Sequence, residues 1–405
     1  MRAGGQTPLR AVLAPTRPTA PVREAAYGVV ALPLRRRLRH TTADTGELVQ
    51  VVLRLVLADG SVGWAETRGN GAYATHHTTE SIVAALAALP AVTAPDWRDP
   101  AALAASVGRS CPPAAMLLDV AHRDAAARAR GVPLALALRA EFGGAARETG
   151  VPCSLPTHAA VPFGSPKEAA ELTEDAAASG FRRVKIRVGG DLGLDSARIA
   201  AARTAADRVA GPGTVVLAAD ANGGWDPDTA LAAAPWLARY KVAWLEQPTA
   251  PGELAALARV RSESPVPVWA DEDVRDAADV CRIADAGAAD GVHLKLEKAG
   301  TVTALAEAVR VARRRGLDVA LGQMDCGRLG CATTVHLAAG LGLTVAELWG
   351  CANVDRDAAA GLELRGGAVV VPTAPGLGVE VLLDPALLTP VGRPKTPASP
   401  PVPLP

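Results

Sequence analysis

Between residues 26 and 67 apolar and polar side chains alternate in three short runs, 27–32, 48–57 and 61–65, with Ala58-Asp59-Gly60 as a turn between the last two. Period-two alternation broken by a Gly-containing turn predicts an antiparallel meander. The period then lengthens: 79–89 and 114–130 read as helices, the second carrying Met116, Leu117, Val120 and Ala127 on its apolar side. Strands followed by helices predict a small α+β domain, set at 24–150.

From about residue 151 short runs rich in Val, Leu and Ile recur at 184–188, 215–219, 242–245, 266–270, 291–296, 318–322 and 343–348, separated by Ala-rich helical stretches. Polar residues punctuate their ends at Asp220, Glu246, Asp271, Lys295, Gln323 and Glu347, always 24–28 residues apart. A constant βα spacing predicts a closed parallel barrel over 151–350, because each strand returns to the same rim through one helix. An open doubly wound sheet is the alternative, but no Gly-x-Gly-x-x-Gly turn follows a first strand. Strand and turn texture returns at 351–388, expected to pack back on the first domain. The tail 389–405, with seven prolines in the last sixteen residues, is expected to be extended and without a fold.

Composition narrows the class. At 49% apolar and 21% charged the chain can bury a large core, and its 42 basic residues cancel its 42 acidic ones without forming a basic stripe. Nucleic acid is therefore not an expected partner, and no apolar run is long enough to predict a membrane helix. The six cysteines are scattered without a Cys-x-x-Cys pair, which suits a reducing, cytoplasmic setting. Residues 1–23 hold Arg2, Arg10, Arg17 and Arg23 with four prolines and read as a loose extension, a transit peptide being the alternative.

Basic charge is carried by 36 arginines and only six lysines. A lysine inside an apolar strand therefore asks for a reason. The ends of successive barrel strands carry Asp220, Glu246 and Asp271, and three converging carboxylates call for a hard divalent cation, Mg²⁺ first and Mn²⁺ second. The alternative is that each acid caps the following helix. Lys185 and Arg187 sit two apart on the preceding strand, and His293 and Lys295 two apart on the following one, so each pair shares a face. Desolvation beside other cations would lower the pKa of Lys295 and make it a base; the alternative is that Lys185 and Lys295 only neutralise the acids.

Lys185-Ile186-Arg187, the three acids, and Val292-His293-Leu294-Lys295-Leu296-Glu297-Lys298 together resemble the enolase superfamily, nearest its muconate-lactonizing subgroup. That subgroup includes dipeptide epimerases, N-acylamino acid racemases and o-succinylbenzoate synthases. The resemblance spans about residues 24–388 and takes in Gly63-Trp64-Ala65-Glu66 and Gly131-Val132-Pro133-Leu134. It implies a modified (β/α)7β barrel of the TIM type under an α+β capping domain, a divalent metal on Asp220, Glu246 and Asp271, and removal of the proton α to a substrate carboxylate to give a metal-bound enediolate. The resemblance further implies a Lys or His base working with Mg²⁺. Catalytic roles fall on Lys295, Lys185 and Arg187, and substrate contacts on Arg36, His40, Asn222, His293, Asp325 and Glu347. Arg36 and His40 belong to the basic cluster 35–40, read as a loop between the first two strands that closes over the barrel mouth. The resemblance also implies a small-molecule carboxylate substrate and a homo-oligomer.

Three positions depart from the subgroup. Arg187 stands where a second lysine base is usual; bringing an arginine to neutrality near pH 7 costs about 8 kcal/mol, against roughly 4–5 for lysine. Cys326, two after Met324, replaces an acid, with Asp325 one residue early. Glu347-Leu348-Trp349 retains one acid of an Asp-x-Asp pair. The expected activity is a racemase or epimerase of an amino-acid derivative or dipeptide. The alternatives are one-base elimination or cycloisomerisation by Lys295, and a metal-binding pseudoenzyme.

Overall fold

The computed structural model describes residues 19–40, 43–143, 150–394 and 401–404, with backbone alone at Arg39, His40 and Ala43. Most of the expected N-terminal extension lies outside the described residues. Strands β1 (Val22–His40), β2 (Ala43–Leu57) and β3 (Val62–Arg68) form the expected antiparallel meander. The helix Pro112–Ala129 packs on β3 through the signature at 63–66. A Cβ on Gly63 would overlap the backbone at Ala121 and Ala125, so only glycine allows this approach. The Trp64 N–H donates to Asp124 Oδ2 at 2.9 Å across the same contact.

Two expectations need correction here. The basic cluster 35–40 is the far end of β1 rather than a loop. Arg35 N–H donates to the Asn353 carbonyl (2.9 Å), and Leu34 bridges Val354, so pairing with the barrel side holds this arm extended. The register of β1 on β2 shifts between Pro33 and Leu38, where proline offers no ladder donor. The described parts of the tail, 389–394 and 401–404, are not without a fold: Thr389–Pro390 joins the free edge of β1, and Val402 donates its N–H to Val29 O (2.7 Å) while burying its side chain. Proline is compatible with such an edge position.

After the short β4 (Ser154–Pro156), β5 (Ala159–Val161), β6 (Arg183–Arg187), β7 (Val216–Asp220), β8 (Val242–Glu246), β9 (Val268–Ala270), β10 (Gly291–Lys295) and β11 (Asp318–Gly322) form one parallel sheet in chain order, curled into a TIM-type barrel. The stretch 343–348, predicted as a strand, makes only an isolated bridge, Leu321 to Ala346. It is held by Glu347 N–H to Leu321 O (2.9 Å) on one side and by Leu348 N–H to Thr157 Oγ1 (2.8 Å) on the other. The three-residue β5 offers it no longer ladder. Inside the ring, Trp244 and Trp269 stack at 4.6 Å with Ala218 and Ala320 against them, filling the barrel interior.

Carboxylates dock the cap on the barrel. Glu66 accepts from Gly327 N–H (2.6 Å) and Gly330 N–H (2.9 Å) at the start of the helix Arg328–Leu341, and Asp119 accepts from Val302 N–H (2.7 Å) at the start of Val302–Arg314. Each supplies acceptor oxygens to N–H groups that lack partners within the helix.

Candidate active site

Alternation along β6 buries Val184 and Ile186 against the surrounding helices and turns Lys185 and Arg187 to the opposite face. On β10, Val292 and Leu294 do the same for His293 and Lys295. The register pairs Arg187 with Asp220 and Asp220 with Glu246, so the acids follow in a row at the strand ends, and Asp271 lies just beyond β9. Gln247, held at φ 37°, fixes that last loop: its Oε1 accepts from Asp271 N–H (3.0 Å) while its Nε2 donates to Asp273 (2.6 Å).

The three acids are 1–2% exposed and converge among cations. Lys185 Nζ lies 2.5 Å from Glu347 Oε1, 2.9 Å from Glu246 Oε1 and 3.3 Å from Asp220 Oδ2. Arg187 Nη1 lies 3.2 Å from Asp220 Oδ2, Lys295 Nζ 2.5 Å from Asp271 Oδ2, and Lys298 Nζ 2.6 Å from Asp271 Oδ1. The His293 Nδ1 sits 2.7 Å from Glu246 Oε1.

These contacts set the proton affinities. For Lys295, burial disfavours the charge, but Asp271 and Glu272 outweigh it and hold the ammonium above the ordinary lysine value. The expectation of a depressed Lys295 is thus corrected: the charged group nearest its ammonium is the Asp271 carboxylate, not another cation. Lys298 is the depressed one, because burial dominates over its bond to Asp271. Arg187 also ends above its ordinary value, burial being overcome by Asp220. Burial opposes ionisation of Glu246 and Glu347 as well, yet His293 and Lys185 bring Glu246 down to about 2, and Lys185 with His293 brings Glu347 to about 2. Glu272, half-buried, is pushed up to about 7 by burial and by the Asp271 and Asp220 carboxylates, which outweigh the opposing charge of Lys295.

A cation fits this donor set. Buried carboxylate oxygens are hard ligands, and among the described residues Glu246, Asp271 and His293 present ligand atoms all within 4.8 Å of one another. Asp220, expected in that trio, is adjacent but differently engaged: Oδ2 faces Arg187 and Lys185, and Oδ1 accepts the Asn222 N–H at 3.0 Å.

The other expected residues divide. Asn222, at φ 44°, donates to Glu272 Oε1 (3.0 Å) and belongs to the ring, as does Glu347 through Lys185. Asp325 has a side chain 46% exposed and is tethered from the cap by Arg68. Arg36 is exposed and engages Asn353 through its backbone, with no contact to the acid ring, and the His40 side chain lies outside the described residues. Cys326 is buried, 3.7 Å from the Cys331 sulfur, and Trp349 packs beneath Arg328.

Sequence reasoning missed three neighbours. His158, just before β5, has a ring nitrogen 3.9 Å from Glu347, and burial lowers it to about 4. Tyr73 comes from the cap and feels the charges of Lys295 and Arg187. Lys298 lies one helical turn beyond Lys295, on the short helix Leu296–Ala299. Only Lys298 carried a signal, the scarcity of lysine.

No helix among the described residues is long and apolar enough to cross a membrane. Residues 167–385 match the model of the family described as enolase C-terminal domain-like. The chain is 31% identical to a hydrophobic dipeptide epimerase of Citrifermentans bemidjiense, over 79% of this chain and 86% of that protein. It is 34% identical to muconate cycloisomerase 1 of Rhodococcus opacus, over 66% of this chain and 69% of that protein. The substrate-liganded L-Ala-D/L-Glu epimerase from Bacillus subtilis superposes with a TM-score of 0.80 at 26% identity, covering 89% of this chain and 98% of the other. With a barrel whose strand ends gather buried acids and lysines, and with this match over more than half its length, the chain belongs to the enolase superfamily.

Proposed function

We propose that the chain removes the proton α to a carboxylate, with Lys295 as the base, and that it racemises or epimerises an amino-acid derivative or dipeptide. The observation that carries this is the placement of Lys295 Nζ on Asp271 at the end of β10, in the same ring as Glu246 and Asp220. Glu246, Asp271 and either Asp220 or His293 would hold a divalent cation, Mg²⁺ in the first instance. When bound, it supplies positive charge to the carboxylate oxygens on which the electrons of the broken C–H bond accumulate. The residues do the rest. Lys185 lies on the opposite side of the ring and adds a second positive charge near those oxygens. Lys298 holds Asp271 from below, which leaves Lys295 as the partner able to turn toward substrate. Arg187, with its side chain 25% exposed, is placed to bind a carboxylate.

One observation favours a second reading. The Arg187 guanidinium is pinned to Asp220 and held charged, so it is a poor proton acceptor on the face opposite Lys295. One-base elimination or cycloisomerisation needs only Lys295. Turnover of N-acylamino acids, dipeptides and cycloisomerase substrates in deuterated buffer separates the readings. Epimerisation places deuterium at the α-carbon of both stereoisomers, whereas one-base chemistry gives loss of water or ring closure. Absence of exchange with every substrate in the presence of Mg²⁺ or Mn²⁺ would sink both.

A further inference from the structure

We infer that Cys331 and Cys326 are a redox-reactive pair beside the barrel mouth, in which a hydroperoxide oxidises Cys331 and Cys326 resolves it to a reversible disulfide within the chain. The six cysteines are free, and three of them, Cys326, Cys331 and Cys351, are buried in one place. Cys326 Sγ lies 3.7 Å from Cys331 Sγ, so the two sulfurs already touch. Glycine permits the approach: a Cβ on Gly330 would come within 2.8 Å of Cys326 Sγ. Cys326 follows the end of β11 by four residues, between Asp325, whose side chain is half exposed, and Gly327, which Glu66 of the cap holds through its N–H (2.6 Å). The pair therefore sits in the seam where cap and barrel meet.

The surroundings of Cys331 suit a thiolate. It stands in the first turn of the helix Arg328–Leu341, where a side chain tilts toward the helix start and a thiol ionises more readily. Gln323 Nε2 donates to its sulfur at 3.3 Å, joined by the Cys326 and Cys351 thiols and the Cys351 backbone N–H. Burial opposes ionisation, and the Glu66 and Asp357 carboxylates stand near the same turn, but these donors outweigh that opposition and hold Cys331 below the usual thiol range. The thiolate attacks one peroxide oxygen: an S–O bond forms, the O–O bond breaks, and the departing oxygen takes up the proton that Cys331 gave up, leaving as water or alcohol. Cys326 sulfur then attacks Cys331 sulfur, the S–S bond forms, and the S–OH oxygen leaves as water with the Cys326 proton. Two thiols lose two electrons in all, and the peroxide gains them. Closing the sulfurs to about 2.0 Å draws Cys326 toward the helix and displaces the loop that carries Asp325. Transient disulfides of this kind are the ones a reducing compartment tolerates.

Treating the full chain with hydrogen peroxide, alkylating the thiols that remain and mapping the peptides by mass spectrometry reads the bond directly. The expected result is the loss of two hydrogens, with Cys326 and Cys331 alone of the six cysteines protected and joined to each other, and full return of both thiols on treatment with dithiothreitol. In Cys326→Ser the reaction should stop at a sulfenic acid on Cys331, trapped as its dimedone adduct; in Cys331→Ser, Cys326 should stay reduced. Should either variant fail to fold, the peptide map of the unaltered chain still decides. Oxidation confined to the exposed Cys153, or a bond joining Cys331 to Cys351 instead, overturns the inference, as does a Cys326–Cys331 bond that dithiothreitol does not reverse.

Discussion

Lys295 and Arg187 differ in what a neighbouring carboxylate does to them. Lys295 is held protonated by Asp271 but starts from a value that can be brought within reach of neutrality; Arg187 starts too high and is raised further by Asp220. The raised ammonium was not legible in the sequence, because which acid a lysine meets depends on the register of β9 and β10 rather than on spacing along the chain. That Lys185, Lys295 and the three acids would meet was legible, since strand alternation and the βα repeat determine both face and rim. Gly322 gives a test at the same scale. Replacing Gly322 with Ala forces a Cβ into the His293 ring and is expected to lower stability by about 1–3 kcal/mol, measured by urea unfolding. An unchanged midpoint would show that the ring is free to move.

At the scale of elements, the antiparallel meander, the long helix Pro112–Ala129 and six of the barrel strands were readable from apolar periodicity. What was not readable has a common cause. β5 is three residues long, the 343–348 stretch is tied to its neighbours by an isolated bridge at Leu321 and one bond to Thr157, and the arm at 35–40 is extended because its backbone pairs with Asn353, more than three hundred residues away. Such elements owe their form to partners, not to local pattern. Glu66 is the clearest such partner, since it fills the N-terminal N–H groups of the helix Arg328–Leu341 from the other domain. Glu66→Ala should leave two buried donors unsatisfied and cost about 2–4 kcal/mol in unfolding free energy. A loss below 1 kcal/mol would mean that water replaces the carboxylate and that the cap is held elsewhere.

Across the whole molecule, buried histidines make stability depend on pH. His336 joins three parts of the chain: Nδ1 accepts from Ala135 N–H (3.0 Å) in the cap, and Nε2 donates to Leu377 O (3.1 Å) in the closing segment. Only the neutral ring makes both bonds, and burial lowers it to about 4 from 6.5. Between these values the unfolded chain binds the additional proton, so stability is present above 6.5 and lost as pH falls toward 4, by on the order of 3 kcal/mol. His336→Gln offers the same acceptor and donor without titrating, and should flatten that slope in thermal melts between pH 6.5 and 4. An identical slope would place the acid sensitivity at His158 or elsewhere.

The central claim is that Lys295, in a ring of buried carboxylates, takes the proton next to a substrate carboxylate. Its most direct measurement is the rate of α-proton exchange into deuterated water, followed by proton NMR on a turned-over dipeptide or N-acylamino acid, for the Mg²⁺- or Mn²⁺-loaded chain and its Lys295→Ala variant. The account predicts exchange in the first and a loss of about 10²–10⁴-fold in the second. Equal rates in the two proteins would contradict it.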